Sequence, residues 1–278
     1  MYKIIKNILR EILYTYYDIF YNNNNSVKLM YYDKNFGDAL NPILSNKLTG
    51  LKALRVNPKY YKKDNLLMIG SILQMANTNS SIWGAGLISD NIENMQVPKM
   101  IYAVRGPLTR KVLLEQNISC PEIYGDPALL IPRVYSPSVK KKYKLGIIPH
   151  YVDKNAKWLN RVLPKNVIII DIIRDNPLEF IDDLLECEKI ASSSLHGLIV
   201  ADAYNIPSTW IKFSDKLYGG NFKFKDYFLS VNRKDQIPLN IIESTTLEEI
   251  YENFYEYEIE IDLDLLLSVA PFKIKNSF

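Results

Sequence analysis

The sequence predicts an α/β protein of two Rossmann-like, doubly wound domains facing each other across a cleft. Three observations carry that prediction. Apolar runs of strand length alternate with segments of helical spacing in both halves of the 278-residue chain, the pattern of parallel sheets covered by helices. The run "NVIIIDII" (166–173) is continuously apolar, as a strand buried in a parallel sheet is. Between the halves, "PRVYSPSVKKKYK" (132–144) replaces that pattern with Pro, Ser and Lys, so the domain boundary falls there. The expected division is residues 1–25, then 26–138, then 139–278.

The elements follow in order. In residues 1–25, Ile5, Ile8, Leu9, Ile12, Leu13, Tyr16 and Phe20 recur at helical spacing, and an Asn run ends the segment. This amphipathic helix either packs on the domain surface or serves as an interfacial anchor. "VKLMYY" (27–32) reads as a strand, followed by the loop "DKNFGDALNP" (33–42). "NLLMIGSIL", "SIWGAGL" and "KMIYAVRG" read as strands, and "PLTRKVLLEQN" as a helix with Pro107 in its first turn. "EIYGDPALLIP" adds a short strand and turn. In the second half "KLGIIPHY" is a strand, "DKNAKWLNRVL" a helix, and "NPLEFIDDLLEC" a helix with Asn176 as its cap. "KIASSS", "LHGLIVADAYN" and "PSTWIKF" read as strand, helix and strand. "TTLEEIYENFYE" is a helix with a capping box.

Composition narrows the function classes. Hydrophobic residues at 47% and charged residues at 23% suit a globular chain with a real core. The net charge is +3 with Lys and Arg spread along the chain, so the clustered basic face of a nucleic-acid binder is not expected. The 20 tyrosines suit sugar grooves and membrane interfaces, or reflect a bias toward Tyr, Asn, Ile and Lys. Cys120 and Cys187 stand apart, and with two histidines they assemble no zinc set. Lone thiols fit a reducing compartment. No signal peptide and no apolar run of roughly 18 residues is read, so a cytoplasmic protein is expected.

Ligands of doubly wound sheets bind outside the carboxyl ends of the strands, and five stretches fall there. In "ASSSLHG", His196 opens a helix behind Ser192, Ser193 and Ser194. A helix N-terminus with hydroxyl donors is an anion site, and His196 either passes a proton there or is a structural neighbour of a capping serine. In "KNFGDALNP", Gly37 permits close approach, Asn35 and Asn41 offer hydrogen bonds, and Asp38 either caps the next helix or accepts a proton from a sugar hydroxyl. Arg105 in "YAVRGPLTR" either grips a carboxylate or phosphate with its planar fork or forms a salt bridge. His150 and Tyr151 end the first strand of the second half. Lys223, Lys225 and Tyr227 lie in the Gly-flanked loop "GGNFKFKDYF".

Together "NFGDALNP", "GAGL", "VRGPLT", "GDPALLIP", "GIIPHY", "SSSLHGLIVADAYNIP" and "FKFKDYF" resemble, in order and spacing, the polysaccharide pyruvyl transferase family, in particular its exopolysaccharide ketal-forming branch. The resemblance spans residues 27–230. It implies a GT-B-like fold, phosphoenolpyruvate as co-substrate, no metal and no other cofactor. The acceptor is a sugar with two nearby hydroxyls, and the product is a cyclic pyruvate ketal. It also implies His196 as the catalytic histidine and Arg105 as a donor-binding arginine, and Asp38 is expected beside His196 as a catalytic residue. Arg105, Ser193, Ser194, Lys223 and His150 fall on the donor side; Asn35, Phe36, Gly37 and Tyr151 fall on the acceptor side. Where some members carry Arg two positions before the histidine, this chain has Ser194, so the donor's charge falls to Arg105, Lys223 or the helix terminus. A lipid-linked acceptor at the inner face of the membrane would give residues 1–21 a docking role. The rival expectations are a nucleotide-sugar glycosyltransferase on the same fold and a non-catalytic assembly scaffold.

Overall fold

The computed structural model describes residues 26–32, 35–93, 95–234 and 237–275. The helix expected within residues 1–25 lies outside them. The first half contains β1 (Ser26–Leu29), α1 (Phe36–Thr49), β2 (Lys52–Arg55), β3 (Asn65–Leu67), β4 (Ser80–Trp83), β5 (Met100–Ala103) and α2 (Pro107–Glu115). The second contains β6 (Leu145–Ile148), β7 (Val167–Ile169), α3 (Pro177–Leu185), β8 (Ile190–Ser192), α4 (Leu195–Ala203), β9 (Ser208–Lys212), α5 (Phe222–Ser230) and β10 (Leu239–Asn240). Helices α6 (Leu247–Glu252) and α7 (Leu263–Ser268) follow.

The strands form two five-stranded parallel sheets, ordered β2-β1-β3-β4-β5 and β10-β9-β8-β6-β7. Counted from its own first strand, each sheet has the same order, 2-1-3-4-5. The order reverses between β1 and β3 in one sheet and between β6 and β8 in the other, and such switch points are where doubly wound sheets hold ligands.

Several local expectations change. The stretch "DKNFGDALNP" is not all loop, because α1 starts at Phe36. Pro42 sits inside that helix, where its missing N–H would leave the Asp38 carbonyl without its helical donor. The Asn41 side chain fills the gap, donating from Nδ2 to Asp38 O at 2.9 Å. The loop expected at "GGNFKFKDYF" is helix α5 from Phe222 onward. "DKNAKWLNRVL" forms two single 3-10 turns in place of a helix. Buried Trp158 anchors them, its indole N–H donating to Thr245 O at 2.8 Å, so tertiary packing overrides the helical pattern there. "GDPALLIP" contributes a 3-10 helix, Pro127–Arg133, with Asp126 as its cap. β7 is an edge strand with Ile168 and Ile169 only half-buried, because it has a neighbouring strand on one side only.

One apolar core runs through both halves. Leu29, Leu40, Leu44 and Trp83 join Ile148, Phe180, Leu198 and Trp210 in a single cluster, and the Phe36 and Phe180 rings meet at 4.0 Å. The chain's end closes back over the first half. The Trp83 indole donates to Leu266 O at 2.8 Å, Phe272 meets the Trp83 ring edge-on, and Lys275 N donates to Leu48 O at 2.9 Å. Within the second half, Asp202 accepts from Arg233 at 2.9 Å and from Tyr227 at 2.7 Å, tying α4, α5 and the following segment together.

Candidate active site

A cavity of about 660 Å³ opens where the two switch points face each other. Tyr32, Asn35 and Asp38 reach it from the end of β1, and Ser71 and Gln74 from the end of β3. His150 and Tyr151 come from the end of β6, Ser194 and His196 from the end of β8, and Lys223 from α5. Strand ends supply short loops, and loops free the side chains from packing duty while the sheets hold them in place.

Two helix N-termini point at this cavity without side-chain caps. Asn35 is the N-cap of α1 and Ser194 the N-cap of α4, and neither side chain bonds a helix amide. The amides and the positive helix ends are therefore available to an anion. Ser192 Oγ braces the turn by accepting the Ser194 amide at 3.0 Å and donating to Ser194 O at 2.9 Å.

His196 sits in the first turn of α4 and is nearly buried. Its ring lies against Gly37, where an added Cβ would stand 2.0 Å from Nδ1. Gly37 thus makes room for the His196 ring and is not among the residues that line the cavity. A Gly37→Ala variant should keep α1, since Ala is the better helix former by about 1 kcal/mol. It must displace the ring, and a displacement of about 1 Å should cost roughly 10²-fold in kcat. A melting curve beside a turnover assay checks this; wild-type turnover would remove the ring from that position.

The electrostatics are set by burial. Asp38 is buried, and desolvation followed by the neighbouring Asp126 charge pushes its carboxyl well above the usual range. Burial thus favours its neutral form, and its Oδ1 lacks a protein partner. It does not cap α1. Burial, then Lys223 and then His196 lower His150 to about 3, so His150 offers a neutral ring and no charge. Its Nδ1 accepts the Val152 amide at 3.4 Å. Burial, followed by Arg105, lowers Lys223 to about 8.

Of the residues expected at the site, Asn35, Asp38, His150, Tyr151, Ser194, His196 and Lys223 line one cavity. Four others do not, Gly37 beneath the His196 ring being one of them. Phe36 is buried against Phe180 and belongs to the core. Ser193 turns to a neighbouring small cavity and accepts the His150 amide at 2.8 Å. Arg105 is fully buried behind the cavity wall, where Nε donates to Asp226 at 3.0 Å, Nη1 to Ser71 at 2.6 Å and Nη2 to Leu87 O at 2.6 Å. Its fork is committed to Asp226, and it meets the cavity only through Ser71.

Sequence reasoning missed Asp126, which places Oδ2 3.6 Å from His196 Nε2. An Asp before a Pro at a helix start reads as a cap, and Oδ1 does cap, accepting Ala128 N at 3.0 Å. Tyr32 and Tyr218, both exposed, were also missed; with Tyr151 they line the outer part of the cavity.

A buried carboxyl of raised pKa, an imidazole, a lysine of lowered pKa and two helix N-termini without side-chain caps meet at the carboxyl edges of the parallel sheets. The class is an α/β group-transfer enzyme. The chain belongs to the polysaccharide pyruvyl transferase family, whose model matches residues 1–215. It is 33% identical over 208 residues to an uncharacterized protein of Acanthamoeba polyphaga mimivirus, a match covering 70% of each chain. It is 29% identical over 210 residues to succinoglycan biosynthesis protein ExoV of Rhizobium meliloti, covering 69% of this chain and 60% of ExoV. A solved structure of an uncharacterized Klebsiella pneumoniae protein aligns with a TM-score of 0.43 at 13% identity, over 80% of this chain and 92% of that one; nothing is argued from it.

Proposed function

We propose that the protein transfers pyruvate from phosphoenolpyruvate to two hydroxyls of a sugar in a polysaccharide or lipid-linked repeat unit, closing a cyclic ketal. The observation that carries this reading is the meeting of Asp38, His196 and Lys223 in one cavity between two uncapped helix ends. Phosphoenolpyruvate is a small anion whose chemistry begins with a proton. Asp38, whose neutral form burial favours, delivers its proton to the methylene carbon, making the central carbon electrophilic. A sugar hydroxyl adds there as His196 takes its proton, phosphate leaves carrying that proton, and the second hydroxyl closes the ring as it gives its own proton to the Asp38 carboxylate, restoring the acid. The α4 terminus with Ser194, Lys223 and neutral His150 receives the donor's charge. Asn35 and the Tyr151 ring orient the acceptor, whose apolar sugar face suits the exposed Tyr32 and Tyr218 beside them.

In this reading residues 26–138 form the acceptor side and 139–278 the donor side. The protein acts at the inner face of the membrane, where residues 1–21 approach a lipid-linked acceptor. Among the described residues no helix is long and apolar enough to cross a membrane.

The test is a thermal-shift titration with phosphoenolpyruvate beside UDP, GDP and CMP. A ligand bound only by the native state at about 100 times its Kd adds about 2.7 kcal/mol. Stabilisation by phosphoenolpyruvate alone supports the reading, and stabilisation by a nucleotide alone replaces the donor. The pH dependence adds a sign. Lys223 is charged below about 8 and neutral above it, so its attraction for the donor is present at lower pH and lost as pH rises. kcat/KM for phosphoenolpyruvate, which reports the free enzyme, should fall through that range. In Lys223→Arg, which stays charged, that limb should vanish; a flat wild-type profile would take Lys223 out of donor binding.

A further inference from the structure

His196 faces a carboxylate that the motifs left without a role. Asp126 is fully buried at the start of the 3-10 helix Pro127–Arg133, which packs against α4. Its Oδ1 is used by the Ala128 amide. Its Oδ2 and the His196 Nε2 are both buried, neither has a hydrogen-bond partner, and they stand 3.6 Å apart. Two unpartnered polar atoms facing each other in a dry interior are tolerated only if one carries a hydrogen toward the other. A lone pair on Nε2 would set two electron-rich atoms against each other, whereas an Nε2–H makes the contact attractive and needs only a small shift to become a hydrogen bond. The other ionisable groups of the cavity, Asp38 on α1, His150 after β6, Lys223 on α5, and Tyr32, Tyr151, Lys216 and Tyr218, show no hydrogen bond or ion pair to the imidazole among the described residues.

We propose that Asp126 is a positioning residue that holds the His196 imidazole in its Nε2–H tautomer, leaving the Nδ1 lone pair as the base that takes the acceptor hydroxyl's proton. The role of base rests on the pyruvyl-transfer reading; the tautomer does not. Gly37 leaves space for the ring, and Asp126 fixes the proton on its Nε2.

The chain has two histidines, so long-range ¹H–¹⁵N correlation spectra of the imidazoles are readable, with His150→Gln assigning the pair. At about pH 9, above the ordinary imidazole range, wild-type His196 should show Nε2–H. Asp126→Asn keeps Oδ1 for the Ala128 amide but turns an NH₂ toward Nε2, which should drive His196 to Nδ1–H. Turnover should then fall by about 10²–10⁴-fold, the scale of a misassigned tautomer, with KM for phosphoenolpyruvate within about two-fold. An Nδ1–H signature in the wild type overturns the proposal without any variant. So does Asp126→Asn with an unchanged tautomer, or a changed tautomer with unchanged turnover. If wild-type protein does not consume phosphoenolpyruvate, the reaction reading fails while the tautomer result stands by its own spectrum.

Discussion

Replacing His196 by Asn or Ala should lower kcat by at least about 10²–10⁴-fold, the contribution of a positioned acid or base, while the protein still melts cooperatively. The ring's surroundings separate the two effects. Its contacts are with the Gly37 backbone, Asp126 and the cavity, so its removal mainly widens an existing space. The α4 terminus, proposed to hold the donor, keeps its amides, and Ser192 keeps its brace on the turn. The loss should therefore fall on kcat more than on KM, as for a group that acts in the transition state. Turnover and thermal melting on the same preparation decide it, and full activity in either variant would end the catalytic assignment.

The second large effect should be on stability. Arg105 and Asp226 form a pair with both side chains 0% exposed, at 2.9 Å. Asp226 also accepts the Thr109 amide at 2.8 Å and its hydroxyl at 2.7 Å. Gly106 is closed against the same residue, since a Cβ there would stand 1.9 Å from Asp226 O. One carboxylate from α5 thus fastens the start of α2 and the end of β5. Arg105→Ala strands that charge in the interior, and breaking a buried pair costs about 3–5 kcal/mol. For a chain of this size that is a melting shift of about 6–20 °C. Asp226→Ala should cost about as much. Arg105→Met with Asp226→Leu should cost less than either single change, because no lone charge remains. A donor-binding arginine would give the opposite result: a raised KM for phosphoenolpyruvate, normal melting, and no rescue by the second substitution.

How far the sequence could be read depends on the distance over which each residue finds its partner. His196, His150, Tyr151, Asn35 and Asp38 were legible because strand periodicity places them at carboxyl ends, and parallel sheets bind ligands there. Lys223 was legible as a cavity residue but misplaced on a loop, since Gly219 and Gly220 hide the helix that starts at Phe222. Arg105 read as a ligand because its partner is 121 residues away; local sequence shows a cation at a strand end and nothing of what neutralises it. Phe36 failed for the same reason, its ring being taken by Phe180 on α3. Asp126 was concealed by doing two things at once, with one oxygen capping a helix and the other facing His196. Gly37 was read as allowing a tight turn and a close approach; it lies in α1 instead of a turn, and what approaches it is an imidazole from the other half of the chain.

The strap that returns Leu266 to Trp83 has a consequence for biosynthesis. The two residues are 183 positions apart, so at about 5–20 residues per second of translation the indole N–H waits on the order of ten seconds or more for its acceptor. Phe272, which covers the same ring, and Lys275, which bonds Leu48, are made later still. The first sheet therefore leaves the ribosome with its tryptophan side uncovered, and it is sealed only once Leu266 to Lys275 have been made. A ribosome that stops before Leu266 releases a protein in which every residue lining the cavity has been made, yet the wall behind β4 is open.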